Sequence, residues 1–241
     1  MALAMLALLA AMGAGLVRLG WGWPPLGPAL PAAHGPLMVS GFLGTLIGVE
    51  RAVALSTSLS QRSGPQRPRP PSGKTSLARR WTYVGPLLTG LGALALIIGW
   101  PGLLGSLLMT LGSGGLVVVF GLILRLQFAL FTMTMALGAL FWLIGNVLWL
   151  AGWPVYSAVL WWAGFLMLTI AGERLELNRV LRLSGYVQKI FLLAITFFLI
   201  GLVITIFNFD LGVRLAGAGM IALALWLLRY DIAGIRCARR D

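Results

Sequence analysis

Residues 103–125 read LLGSLLMTLGSGGLVVVFGLILR, an apolar run that meets no charge before Arg125. At about 1.5 Å per residue one α-helix of this length crosses the hydrocarbon of a bilayer. The run lacks the alternation of a barrel strand, and lipid offers a backbone only two ways to satisfy itself, the helix and the closed barrel. The stretch is therefore a membrane helix.

Working outward in both directions, the same reading recurs. Apolar runs bounded by turn or charge signals lie near 2–20, 34–56, 82–100, 103–125, 128–150, 154–177, 188–208 and 211–230. The 241 residues are 59% hydrophobic and only 10% charged, with a mean hydropathy of +0.95, a composition that a soluble core cannot keep in water. The expected fold class is an all-α polytopic membrane helix bundle of about eight transmembrane helices. Residues before the first run carry no Lys or Arg, so the N-terminus reads as a span, with a cleaved signal as the alternative because Ala10 to Ala14 is rich in small residues.

A net charge of +12 invites a nucleic-acid reading, but the cations form no basic domain. They sit between the apolar runs, where they set orientation, and no nucleic-acid partner is expected. The Ser/Pro/Arg-rich loop 56–80 holds Arg62, Arg67, Arg69, Lys74, Arg79 and Arg80. Placing it in the cytoplasm leaves only Arg18 and Arg214 outside, which gives an N-in/C-in topology in a bacterial-type cytoplasmic (inner) membrane. Trp21, Trp23, Trp100, Trp149 and Trp153 then fall at the outer boundary as an aromatic belt. The proline-rich connection from Trp23 to Pro31 cannot continue a helix, whereas Pro36 suits the first turn of the second one. Cys237, the sole cysteine, excludes internal disulfides and multi-cysteine metal sites.

The chain repeats. Gly41-Phe42-Leu43 and, after six intervening residues, Glu50-Arg51 recur as Gly164-Phe165-Leu166 and Glu173-Arg174, with Ile47 and Ile170 in register. Leu111 to Arg125 matches Leu215 to Arg229 more weakly. The halves are 1–127, which contains the basic loop as an insertion, and 128–241, which ends in a basic tail. Four spans per half give both copies one orientation, a parallel repeat.

Three constellations could carry chemistry. His34 and Met38, one turn apart at the outer start of the second span, share a helix face with Gly41, Thr45 and Gly48. Gly44 and Gly48 form a small-xxx-small pair that admits another helix or a flat cofactor. An imidazole there suits haem iron or copper, with the thioether of Met38 as a soft partner; the bland alternative is a hydrogen-bonded boundary residue. The second constellation is Glu50-Arg51 and Glu173-Arg174, with Glu176 and Arg179 further along. Paired reciprocally, Glu50 with Arg174 and Glu173 with Arg51, they clamp the halves or form an ion gate. The third is Asn146 in the fifth span, expected to hydrogen-bond a neighbouring helix.

The segment His34-Gly35-x-x-Met38, with the glycine-spaced run behind it, resembles the second helix of haem-copper oxidase subunit I, in which that histidine ligates the low-spin haem. It is also similar to the His-x-x-x-Met helix of the NnrS family of haem- and copper-containing membrane proteins linked to nitric oxide metabolism. The likeness covers the second span only. It implies haem at His34 and, by analogy, a role in electron transfer or gas handling. The further histidines of those families are missing, since His34 is the only histidine and its counterpart in the second half is Ser157. A binuclear centre within one chain is thereby excluded, and bis-histidine ligation requires a homodimer. With no Walker loop, dinucleotide fingerprint, His-Glu-x-x-His site or Ser/His/Asp set, no enzymatic class is assigned. The alternatives are a small-solute or ion transporter gated by the Glu/Arg pairs, and an assembly subunit of a larger membrane complex.

Overall fold

The computed structural model describes residues 1–22, 27, 29–62, 80–100, 103–178 and 185–230. Most of the basic loop, Trp23, Arg179 and Cys237 lie outside the described residues. Within them every regular element is helical. Eight rods follow one another: α1 (Ala2–Arg18), α2 (from Pro31–Ala33 through Thr45–Arg62), α3 (Trp81–Tyr83 continued by Val84–Ile97), α4 (Leu104–Leu126), α5 (Leu130–Leu150), α6 (Val155–Asn178), α7 (Gly185–Ile204) and α8 (Phe209–Tyr230). Six of them, α2 and α4 to α8, are long and apolar enough to cross a membrane. The apolar helices α1 and α3 are shorter. At its 17 residues α1 rises about 25 Å, the lower end of the spanning range.

Three helices stop in the same way. Gly20, Gly99 and Gly152 have φ of +90°, +68° and +88°, the left-handed region where a side chain is strained. The following tryptophan amide donates to the carbonyl five residues back: Trp21 to Leu16, Trp100 to Ala95, Trp153 to Leu148, at 2.9 to 3.1 Å. Each is a Schellman end, and each leaves an exposed indole just past its helix. Trp149, also expected on the aromatic belt, instead packs half-buried against the core.

The second span differs most from its expected bounds of 34–56. It starts three residues earlier and runs on to Arg62. Ser56, Thr57 and Ser58, which look like loop, return their hydroxyls to the Val53 and Ala54 carbonyls and stay helical. Between the α-helical turns His34–Pro36 and Thr45–Arg62 the coil widens into a π segment, Leu37–Gly44.

The chain divides into two compact units. The first is Met1–Leu126 with Asn146–Val155, the second Gln127–Gly145 with Tyr156–Asp241. In the first, α1 buries Ala4, Ala7, Ala10, Ala11 and Ala14, and α2 runs antiparallel to α3 with small residues facing small residues. A Cβ added to Gly41 would lie 3.0 Å from that of Ala93, one added to Gly48 would lie 3.2 Å from Pro86, and between them Thr45 donates to Thr89 at 3.0 Å. Helices α3 and α4 meet closely at Gly85 against Gly112 and at Gly92 against Gly105. In the second unit the buried bulk is aromatic: Trp142 stacks on Phe165 at 5.0 Å, Phe141 meets Trp161 at 5.2 Å, and Phe191 meets Trp226 at 4.7 Å. The α7–α8 hairpin still depends on glycine, since a Cβ on Gly201 would overlap the Ala216 backbone.

Candidate functional site around His34

His34 is set by its chain neighbours before any tertiary contact. Pro31 opens the short 3₁₀ turn that leads into α2, and Pro36 fixes the next turn, so the imidazole leaves a stiff helix start. The ring lies half-buried against α1, with Nδ1 2.8 Å from the carbonyl oxygen of Ala11. A carbonyl can only accept, so Nδ1 carries the hydrogen and donates it. In the neutral imidazole Nε2 is then the nitrogen that keeps a lone pair. This is the arrangement by which ligating histidines are usually oriented, one nitrogen tied to a carbonyl and the other left for a metal or a donor.

The approach requires a glycine on α1. A Cβ on Gly15 would stand 3.0 Å from Cε1 and 3.1 Å from Nδ1 of His34, so even alanine would press on the ring. No reading of local sequence singles out Gly15, because the contact spans nineteen positions between two helices; the alternation of Ala7, Ala10, Ala11 and Ala14 on α1 is the only trace that a helix lies close there.

The expected face of Gly41, Thr45 and Gly48 does exist, and helix α3 occupies it through Ala93, Thr89 and Pro86. Of the two occupants that the glycine spacing admits, a helix or a flat cofactor, the helix holds the place along this face. The simple one-turn relation between His34 and Met38 is interrupted where the coil widens at Leu37. Met38 is half-buried and packs with Ala33 and Phe42 against the core cluster that contains Leu37, Ala93 and Met109.

A second polar group in the first unit centres on Asn146, the amide that the sequence singles out. Ser40, inside the π segment, donates to Asn146 Oδ1 at 3.0 Å, and Asn146 Nδ2 reaches the Met109 carbonyl at 3.5 Å. Thr110 donates to the carbonyls of Ser106 at 2.7 Å and Asn146 at 3.3 Å. All of these side chains are buried. Asn146 thus does what a lone amide in a span is expected to do, bonding to α2 and α4 at once.

Among the ion-pair candidates, Arg51 is buried and makes a 3.2 Å pair with Glu50, its exposed neighbour in the same helix. Glu173 is half-buried and Arg174 exposed near the end of α6. Among the described residues no three His, Cys, Asp or Glu side chains converge to hold a metal ion.

One protein family matches, described as a domain of unknown function (DUF8744), over residues 1–240. No curated protein and no solved structure matches the chain.

Proposed function

The chain belongs to the DUF8744 family, and we propose that it is an eight-span membrane protein that offers Nε2 of His34 as one axial ligand to haem iron, copper being the other metal this donor suits. The reading is supported by one observation above the rest, the 2.8 Å hydrogen bond that holds Nδ1–H on the Ala11 carbonyl and so makes Nε2 the ring nitrogen that can offer a lone pair to a metal. Haem held there would supply one-electron or gas-ligand chemistry. The protein's own part is to fix the tautomer through Ala11, leave room for the ring against α1 at Gly15, and stiffen the turn through Pro31 and Pro36. Met38 packs with the core, so His34 alone carries the proposal.

The topology belongs to the same proposal. The termini lie inside, α2 runs from outside to inside, and four spans per half make two parallel repeats. The Gly-Trp ends of α1, α3 and α5 support it, because alternating helices would bring all three tryptophans to one interface. Cysteine placed at Ala32, beside the site, should react with an impermeant reagent from the periplasmic side and cysteine at Ser72 should not.

The decisive test is a visible spectrum of the purified protein, oxidised and reduced, after supply of haem. Wild type should show a Soret band that His34→Ala removes and Gly15→Ala weakens or shifts. Absence of any chromophore or bound copper in wild type would end the proposal. A second reading, an ion transporter, is favoured by the burial of Arg51 beside Glu50 in a span, since ionisable groups inside membranes are costly. It expects Glu50→Gln or Glu173→Gln to abolish proton flux in proteoliposomes that never develop a chromophore.

A further inference from the structure

A groove of about 310 Å³ runs between α3 and α4, walled by Trp81, Leu88, Leu111 and Val118 and floored by Gly85 and Gly115. It lies toward the first turn of α3, whereas Ala93, near the other end of that helix, faces Gly41, the residue seven on from His34. The floor is bare backbone: a Cβ on Gly115 would stand 3.0 Å from the Cα of Gly85. The walls turn large apolar side chains outward, with Val84, Leu111 and Val118 all exposed.

The mouth of the groove is basic. Arg80 precedes Trp81 and is exposed. Arg125 is exposed in the last turn of α4, about 9 Å along the helix beyond Val119 on the groove wall. Neither α3 nor α4 contains an acidic residue, and the one acid between residues 1 and 126 is Glu50, which pairs with Arg51. An apolar trough with an indole and two arginines at its open end matches one kind of molecule, an amphiphile with an acyl tail and an anionic head.

We infer that this groove seats one acyl chain of an anionic phospholipid from the surrounding bilayer, with the phosphate held between Arg80 and Arg125. The inference needs the membrane fold and is independent of any ligand at His34. The acyl chain lies between the apolar walls over the close glycine contact of α3 with α4, and the two guanidinium groups select the head.

The test uses the full chain in mixed micelles holding equal phosphatidylglycerol and phosphatidylcholine, read by native mass spectrometry. Wild type should retain phosphatidylglycerol in preference, by roughly fivefold for each arginine, the size expected of one cation at an anionic surface. Arg80→Gln with Arg125→Gln should bring the two lipids to parity while still retaining lipid. Val118→Trp, which fills the trough from its rim, should lose retention of both, with Leu111→Trp as the second filling variant if helicity falls. Equal retention of the two lipids by wild type, or unchanged lipid number in both filling variants, overturns the inference. So does a wild-type dimer that Val118→Trp splits, which would assign the groove to a second copy of the chain.

Discussion

The two compact units both bring helices together at glycines, and they differ in what fills the rest of the interior. In the first, alanine, glycine and threonine let helix backbones come close, and short polar groups then reach across: Thr45 to Thr89, Ser40 to Asn146. In the second, Trp142, Trp162, Phe165, Phe191 and Phe198 fill the interior, and Trp226 Nε1 donates across to the Val187 carbonyl at 3.0 Å. Lipid tails are as apolar as leucine, so helices gain little by hiding apolar surface from them. What remains is packing, achieved in one unit by small residues facing small residues and in the other by large rings seated against glycines, Trp162 against Gly145 and Phe198 against Gly219.

The contrast can be broken by mutation. Trp162→Ala, which empties a wholly buried site in the second unit, should cost about 3 to 5 kcal/mol, read as a lowered midpoint in denaturant titration of the reconstituted protein. Gly112→Leu should cost about 2 to 3 kcal/mol in the first unit, because a Cβ there already lies 2.7 Å from the Gly85 carbonyl oxygen. Asn146→Ala should cost about 1 kcal/mol, the range measured for hydrogen bonds between membrane helices, and a double cycle with Ser40→Ala should recover most of it as coupling. Gly114→Leu, two residues from Gly112 but with nothing within 4 Å of its added Cβ, should change the midpoint by no more than about 0.5 kcal/mol. If Gly114 proved as sensitive as Gly112, the cost would not come from close backbone approach, since leucine is the better helix former at both positions, and the packing contrast would fall. If Trp162→Ala were nearly silent, the aromatic interior would be filler.

Sequence carried the helical spans well because hydropathy and length are local quantities. The eight rods lie close to the expected runs, and the errors fall at their ends. Span three was expected to reach Trp100, but Gly99 at positive φ ends regular helix at Ile97. Span two was ended at Ser56 because Ser and Thr look polar, whereas their hydroxyls find carbonyls one turn back. The face of Gly41, Thr45 and Gly48 was legible from spacing alone; that a helix rather than a cofactor fills it was not, since spacing names a gap and never its occupant. Around His34 the histidine itself was conspicuous as the single imidazole. Ala11 and Gly15, which orient it, were not, because a backbone carbonyl has no side-chain identity to read and a glycine in a membrane helix is common.

The widened coil at Leu37–Gly44 has a consequence for inheritance of the site. A segment of this kind accommodates one residue more than an α-helix would over the same rise. Deleting a single residue from it should let α2 close up into ordinary geometry with the turns on either side near their present faces, whereas the same loss within Thr45–Arg62 would turn everything before it by one residue step, about 100°. The first kind of loss leaves His34 on the Ala11 carbonyl and Thr45 and Gly48 against α3; the second parts them. The widened coil is thus the one stretch of α2 where the chain can shed a residue and keep the imidazole on its support.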